Sequence, residues 1–159
     1  MYTFNDKVKD GIRGAKELDL FYSKWFKIES VDLQIDKLGI DRIFVERVNN
    51  FRWTVEYKTD LLASSTKNAF IETISVDTTN TPGWAYTACA QLLLYYLPSD
   101  KKVIRLTMYA IKHLVDEWKG LYPTKPSPNE GKEKKGYRTF GVCVPLDIFM
   151  SYGLVDYIL

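Results

Sequence analysis

Apolar and polar residues alternate most regularly over residues 51–58, and this alternation predicts a β-strand. Its residues in order are Phe51, Arg52, Trp53, Thr54, Val55, Glu56, Tyr57 and Lys58. Because successive side chains of a strand point to opposite faces, we expect one face to join the core and the other to stay polar. A second β-rich run, residues 42–48, precedes it across Asn49-Asn50, and asparagine tolerates the left-handed conformation of a tight turn. The two runs therefore predict a hairpin.

The rest of the chain alternates between helical and extended patterns. Apolar residues three or four positions apart predict a helix over residues 6–26, and a run that is apolar nearly all round predicts a buried helix over 84–97. Further helices are predicted over 109–121 and 146–152. Runs rich in β-branched and aromatic residues predict further strands over 69–76, 102–108 and 137–144. Residues 28–36 fit either a loop or a short strand. Helices and strands mixed in this order predict an α/β fold in which helices pack on a central sheet.

The composition is that of one folded domain covering residues 1–159. Hydrophobic residues make up 46% of the chain, which supplies enough apolar surface for a core. The charged fraction of 26% and the net charge of +2 exclude a disordered chain and a highly basic nucleic-acid coat. Residues 123–136 contain three prolines, two glycines and four lysines, and this composition predicts a flexible loop within the domain.

Cysteines, histidines and apolar runs limit the chemistry and the location of the protein. The two cysteines are too few for a disulfide framework and fit a reducing compartment. The single histidine, His113, excludes sites built from several histidines, so metal chemistry would depend on carboxylates. No segment is apolar enough to span a bilayer, and the N-terminus lacks an apolar secretion signal. We therefore expect no membrane partner and a cytoplasmic location, or a viral protein that acts in the host cytoplasm.

The polar face of the predicted hairpin holds the residues with the clearest chemical potential. Glu56 and Lys58 lie side by side on it, and Asp41 begins the preceding strand. If Asn49-Asn50 is a two-residue turn, Asp41 faces Lys58 and is a diagonal neighbour of Glu56, about 7–8 Å away. One hydrated cation bridges that distance. A slip of one residue in the register would move Asp41 to the other face.

Two carboxylates with open positions suit Mg²⁺, which prefers oxygen ligands and keeps several waters. Such an ion can activate a water and neutralise charge on a phosphate, while Lys58 orients the water or stabilises that charge. Three plainer alternatives stay open. The residues form a solvated salt bridge worth about 0–1 kcal/mol, or the acidic pair is unused in a DNA-binding or assembly module, or Glu56 and Lys58 merely pair in a protein-interaction domain.

The same residues resemble the D…ExK signature of the PD-(D/E)XK nuclease superfamily. Asp41 lies in the sequence GIDR, and Glu56 and Lys58 lie in VEYK. The later stretch TKNAFIE, residues 66–72, is similar to a TGN-x-x-IE-like stretch of phage and bacterial members, with Lys67 in place of the glycine. No proline precedes Asp41. The resemblance covers residues 17–97 and implies a restriction-endonuclease-like three-layer sandwich, a central mixed β-sheet flanked by helices.

The resemblance also implies a function and a set of site residues. It implies a DNA nuclease, with an endonuclease favoured over an exonuclease, that hydrolyses phosphodiester bonds with a metal-activated water. Asp41, Glu56 and the backbone carbonyl of Tyr57 would bind Mg²⁺, for which Mn²⁺ would substitute, and Lys58 would act on the water and the phosphate.

Further residues are implied as supporting groups. Glu17 is the candidate for a first-helix glutamate, with Asp10 as the alternative. Gln91 and Tyr95 resemble the QxxxY element of helicase-associated nucleases, which lies on the helix after the core strands. Glu72 is favoured as a charge at the end of a sheet over a metal ligand.

The last candidates concern partners. The one basic concentration of the chain is a candidate DNA contact, formed by Lys132, Lys134, Lys135 and Arg138, although Glu130 and Glu133 dilute it and a solvated loop is the plainer interpretation. Small nucleases of this kind often dimerise. The aromatic-rich C-terminus, with Tyr152, Tyr157 and Leu159, is a candidate homodimer interface.

Overall fold

The computed structural model describes residues 4–127 and 136–158, which form two β-sheets and several helices. In chain order the elements are α1 (Phe4–Tyr22), β1 (Phe26–Ser30), α2 (Leu33–Asp36), β2 (Arg42–Glu46), β3 (Arg52–Thr59), α3 (Ala63–Thr66), β4 (Asn68–Val76), β5 (Thr81–Pro82), α4 (Trp84–Thr87), β6 (Leu92–Leu97), a 3₁₀ turn (Pro98–Asp100), β7 (Lys102–Thr107), α5 (Met108–Leu121), β8 (Thr124–Pro126), β9 (Phe140–Pro145), α6 (Leu146–Ser151) and β10 (Leu154–Tyr157). No helix in these two ranges is long and apolar enough to cross a membrane.

The central sheet is mixed. Its strand order is β1-β2-β3-β6-β7-β10, and β3 and β6 run parallel while all other neighbours are antiparallel. The second sheet has the order β5-β4-β9-β8 and is antiparallel throughout. The predicted α/β class, with a mixed central sheet and helices, is confirmed.

The two faces of the central sheet are covered differently. Helix α1 packs on one face, where Leu18 and Tyr22 join Phe44, Val55 and Tyr57 in one apolar cluster. On the other face a larger cluster joins β6 and β7 to the second sheet and to α5 and α6; its members include Leu93, Tyr95, Ile104, Ile71, Val142, Ile111, Trp118 and Phe149. The predicted helices pack on both faces, and the second sheet shares one of those faces with α5 and α6. Strands β4 and β9 each bury one side, and such strands cover a sheet as well as helices do.

The largest difference from the sequence prediction lies in residues 84–97. Only Trp84–Thr87 is helical, and Leu92–Leu97 is the strand β6 between β3 and β7. Leu93 to Leu97 are buried, because the sheet is covered on both faces. A strand buried on both faces is a continuous apolar run, and so is a buried helix, so apolar content alone cannot distinguish them. Gln91 and Tyr95 consequently lie at the start of β6 and within it, and not on a helix.

The hairpin forms as predicted, with a longer loop. Arg42 pairs with Val55, and the Glu46 N–H donates to the Phe51 carbonyl at 2.8 Å. The loop therefore comprises residues 47–50 in place of the predicted two-residue turn, with Asn50 at φ 59°. The register is shifted by two residues relative to the prediction, and an even shift keeps every side chain on its face. Asp41 consequently lies level with Glu56 and not with Lys58.

Smaller differences concern element ends and the second sheet. The helix predicted over residues 6–26 ends at Tyr22, and residues 28–36 contribute to β1 and α2. The strand predicted over 69–76 exists as β4 but belongs to the second sheet. The predicted loop over 123–136 begins with β8, an edge strand, where its proline is tolerated. Residues 128–135 of that loop lie outside the described residues.

Replacing Gly39 with alanine is expected to destabilise the protein by about 1–3 kcal/mol. Gly39 adopts φ +73°, and a Cβ there would lie 2.7 Å from the Ala88 Cα. Urea denaturation measures the effect. Gly120→Ala is the matched control, because a Cβ meets no atom within 4 Å at that position of α5, where alanine is the better helix former. Equal stability of Gly39→Ala and the wild type would contradict the prediction.

Candidate active site

Asp41, Glu56 and Lys58 meet at one point of the central sheet. The Asp41 N–H donates to the Val55 carbonyl at 2.8 Å, and Asp41 Oδ2 accepts the Tyr57 N–H at 2.6 Å. The Asp41 carboxylate lies close enough to Glu56 to raise the pKa of the Glu56 carboxyl group. Lys58 Nζ lies 2.5 Å from Glu56 Oε1. The structure thus brings together the three side chains that the sequence singled out.

The alternation of β3 explains why these groups converge. Tyr57 points towards α1, where its hydroxyl donates to Asp19 at 2.8 Å, so Glu56 and Lys58 point to the opposite face. The N–H and C=O of a strand residue point to the same neighbouring strand. Because the Tyr57 N–H faces Asp41, its carbonyl faces the same side. Two carboxylates and one carbonyl oxygen therefore border a common space.

Burial gives the site an unusual protonation state. Glu56 is only 4% exposed, and burial, reinforced by Asp41 and opposed by Lys58, raises the pKa of Glu56 to about 7. Burial would lower the pKa of Lys58, but the carboxylates of Glu56, Asp41 and Glu72 outweigh it, so the pKa of Lys58 is raised. At neutral pH the site therefore contains the protonated ammonium group of Lys58 beside the Glu56 carboxyl group, which is partly protonated.

The stability of Glu56→Gln relative to the wild type is expected to increase as the pH rises from about 5 to 8 in EDTA, because only the wild type loses stability through Glu56. Because the folded-state pKa of about 7 exceeds the ordinary 4.5, the folded protein holds a proton that the unfolded chain releases. The stability that Glu56 contributes is complete below about pH 4.5 and is lost as the pH rises through 7. Circular dichroism gives the Tm at each pH. Glu117→Gln, at an exposed position of α5, is the control. A Tm difference between Glu56→Gln and the wild type that is constant with pH would refute the expectation.

Two residues near Lys58 were not among the predicted site residues. Glu72 of β4 accepts the Trp84 N–H at 3.3 Å, and its charge contributes to the raised pKa of Lys58. The Trp84 ring centroid lies 5.7 Å from Lys58 Nζ. Both residues come from segments that do not pair with β3, so no register argument could place them here. Glu72 follows the TKNAFI stretch, which is the only signal in the sequence that drew attention to it.

Asp60, two residues after Lys58, holds the end of β3 in place. Its Oδ1 accepts the N–H groups of Leu62 and Ala63, both at 2.9 Å. Its Oδ2 accepts the Tyr95 hydroxyl and lies 3.4 Å from the Phe70 N–H. Asp60 therefore links β3 to α3, β4 and β6, which is a structural role.

Glu17 does not join the site. The Tyr96 hydroxyl donates to Glu17, and Lys101 Nζ lies 3.7 Å from it. Tyr96 belongs to the cluster under α1, on the face of the sheet opposite to Glu56. The prediction of Glu17 as a supporting residue is thus not met, because the helix presents it to the other side of the sheet.

Gln91 contacts β3 at Thr54 and not at Glu56. Its Oε1 accepts the Thr54 N–H at 3.0 Å, and its own N–H donates to the Thr54 carbonyl at 3.0 Å. Gln91 therefore fixes the start of β6 against β3, two residues before Glu56. Tyr95, which the pattern paired with it, lies beside Lys58 in the parallel ladder.

The residues proposed for partners are only partly described. Lys132, Lys134, Lys135 and Leu159 lie outside the described ranges. Arg138 is exposed; its N–H donates to Asp77 Oδ1 at 2.8 Å, and the Asp77 N–H donates to the Arg138 carbonyl at 3.1 Å. Tyr152 contacts Trp118, and Tyr157 is 57% exposed on β10, an edge strand of the central sheet.

A cleft of about 590 Å³ opens beside Lys58. The C-terminal end of β3 forms its base, and the first turns of α1, the second sheet and β8 form its walls. Lys7 Nζ of α1 lies 3.2 Å from Ser127 Oγ, which follows β8. This contact connects two walls of the cleft.

The oxygen atoms available to bind a metal ion at this site are few, but they suit an ion that keeps most of its water ligands. Within residues 4–127 and 136–158, no three or more histidine, cysteine, aspartate and glutamate side chains come together as a metal site. Mg²⁺ is commonly held by one or two carboxylates and retains several waters. Asp41, Glu56 and the Tyr57 carbonyl therefore fit Mg²⁺ or Mn²⁺ better than ions that require full coordination by the protein.

Known proteins offer no guide to this site. Comparisons with models of protein families, with curated proteins and with solved structures found no match. The chemistry is therefore inferred from the contacts of the residues themselves.

Proposed function

We propose that the chain is a Mg²⁺-dependent DNA nuclease with a restriction-endonuclease-like fold of the PD-(D/E)XK type. The observation that carries the proposal is the convergence of Asp41, Glu56 and Lys58 beside a cleft of about 590 Å³. The three residues follow in the chain in the order that the D…ExK signature requires.

The order of elements supports the proposal. Helix α1, the hairpin β2–β3 and strand β6, which runs parallel to β3, occur in this order along the chain. The connection from β3 to β6 differs, since it passes through β4 and β5 of the second sheet and contains only short helices. Asp41, Glu56 and Lys58 all precede this connection in the chain.

The energetic cost of the site is a second support. A carboxyl group that is 4% exposed beside another carboxyl is costly, and apolar residues of similar size would stabilise a fold more. The negative charge of Asp41 helps to raise the pKa of Glu56, so the pair of carboxyl groups favours one bound proton. A divalent cation in the same place would remove the repulsion that this proton relieves. Metal binding would therefore explain why two carboxyl groups that destabilise the fold lie side by side.

The three side chains would divide the work as follows. Asp41, Glu56 and the Tyr57 carbonyl hold the cation, which supplies charge neutralisation and a more acidic water when bound. The raised pKa of Lys58 keeps its ammonium group protonated at neutral pH, so Lys58 stabilises negative charge on the phosphate and cannot act as the general base. The chain thus orients the phosphodiester and the water.

Incubation with labelled linear, circular and branched DNAs tests the proposal. We expect cleavage with Mg²⁺ and with Mn²⁺ and none in EDTA, because chelation empties the site between Asp41 and Glu56. Lys112→Ala, at an exposed position of α5, should cleave as the wild type does. The absence of product from every DNA with either metal would exclude the nuclease.

A second function is a catalytically inactive DNA-binding or assembly module with the nuclease fold. The 2.5 Å contact between Lys58 and Glu56 favours it, since the lysine compensates the carboxylate without any metal. Calorimetric titration with Mg²⁺ and Mn²⁺, with Asp41→Asn as the control, separates the two. Metal binding without any cut DNA would favour the module. The contact between Asp41 and Glu56 argues against a protein-interaction domain in which Glu56 and Lys58 merely pair.

A further inference from the structure

The cleft beside Lys58 has the size of a nucleotide and not of a duplex. Its volume of about 590 Å³ lies within the range of about 300–1,000 Å³ that small-molecule sites occupy. A sphere of this volume is roughly 10 Å across, whereas the major groove of B-DNA alone is about 12 Å wide. A duplex is wider than its own major groove, so it does not fit inside the cleft, whereas one nucleotide of a single strand does.

Aromatic rings line the cleft next to the proposed phosphate-binding lysine. Trp84 and Phe70 are both half-buried and border the cleft. The Trp84 ring centroid lies 5.7 Å from Lys58 Nζ, so a base on this ring and its phosphate at the ammonium group can belong to one nucleotide. Bases of single strands stack on such rings with little dependence on sequence.

Positive charge lies on opposite walls of the same cleft. Lys7 comes from α1 and Lys125 from β8, and both line the cleft with Lys58. Two carboxylates, Asp10 and Asp60, also line it, but Asp60 accepts hydrogen bonds from neighbouring backbone and hydroxyl groups. The contact between Lys7 and Ser127 connects two walls of the cleft.

We propose that the cleft receives a single-stranded segment of DNA, with one base stacked on Trp84 and its phosphate at Lys58. The proposal rests on the proposed nuclease function and names its substrate. The enzyme would then require a free end, a single-stranded gap or an unpaired nucleotide, and a continuous duplex would be a poor substrate.

Cleavage assays with Mg²⁺ compare a single-stranded oligonucleotide with a covalently closed, relaxed duplex circle. We expect the single strand to be cut at least tenfold faster. Trp84→Ala should raise the KM for the single strand roughly 5- to 150-fold with a smaller effect on kcat, which is the range of one base–ring stacking contact. Trp84→Phe should retain most of the activity. Trp25→Ala is the control, because that exposed ring does not line the cleft. Equal cleavage of the closed circle would overturn the single-strand proposal and leave the nuclease standing.

Fluorescence anisotropy in EDTA tests the cleft without cleavage. The wild type should bind a labelled single strand more tightly than a blunt duplex of the same sequence. Trp84→Ala should weaken this binding and Trp25→Ala should not. In Lys7→Ala/Lys125→Ala, the slope of log affinity against log salt should fall by about 1.4, since each single-strand phosphate contact contributes about 0.7. Equal affinity for both DNAs, or no effect of Trp84→Ala, would refute the proposal even if no DNA is cut.

Discussion

Lys58→Ala is expected to lower DNA cleavage by about 10²- to 10³-fold while the protein remains folded. Lys58 Nζ is the positive charge closest to the Asp41–Glu56 pair, and its raised pKa keeps it protonated. Its loss also removes the charge that lowers the pKa of Glu56, so Glu56 would hold its proton to higher pH. Single-turnover cleavage rates with Mg²⁺ measure the effect, and circular dichroism confirms folding.

Two further variants distinguish the loss of the Lys58 charge from the loss of the metal-binding carboxylates and from the loss of any surface lysine. Glu56→Gln keeps the shape of the buried side chain and should abolish cleavage, because one carboxylate of the metal site is gone. Lys112→Ala, which removes an exposed lysine from α5, should cut DNA as the wild type does. Cleavage at the wild-type rate by folded Lys58→Ala or Glu56→Gln would remove the nuclease assignment.

The hairpin and the positions of its charged side chains could be predicted because both depend on the alternation of apolar and polar residues along the strand. The alternation of residues 51–58 fixes which side chains share a face, so Glu56 and Lys58 were placed together without knowledge of the fold. The position of Asp41 depended on the turn, and the loop is two residues longer than predicted. The prediction survived because a shift of two residues preserves the face; a shift of one would have moved Asp41 away from Glu56.

Other parts of the site depend on contacts that no local pattern encodes. Residues 92–97 are apolar throughout, and only the presence of covering layers on both faces makes them a strand. Glu72 and Trp84 reach Lys58 from the connection between β3 and β6, whose path is set by the second sheet. The position of Glu17 has a similar limit, since the sequence of a helix does not show which face of a sheet the helix covers.

The structure assigns Asp60 a different role from Glu56, and this difference predicts a large effect on stability. Asp60→Ala removes the acceptor of the Leu62 and Ala63 N–H groups and of the Tyr95 hydroxyl. Tyr95 is 1% exposed, so its hydroxyl would lose the acceptor that it has in the folded protein. We expect a loss of about 3–5 kcal/mol in the free energy of unfolding, measured by urea denaturation.

A double-mutant cycle with Tyr95→Phe tests the cause of this loss. If the buried hydroxyl accounts for much of the cost, Asp60→Ala/Tyr95→Phe should be more stable than the sum of the single effects predicts, by about 1–2 kcal/mol. Asp60→Asn keeps an oxygen acceptor for the N–H groups of Leu62 and Ala63 and should cost less than Asp60→Ala. Additive single effects would show that the Tyr95 hydroxyl does not cause the loss, and an Asp60→Ala variant as stable as the wild type would mean that Asp60 does not hold the end of β3. Since α3 and β4 border the cleft, a catalytic role for Asp60 would then have to be considered in place of a structural one.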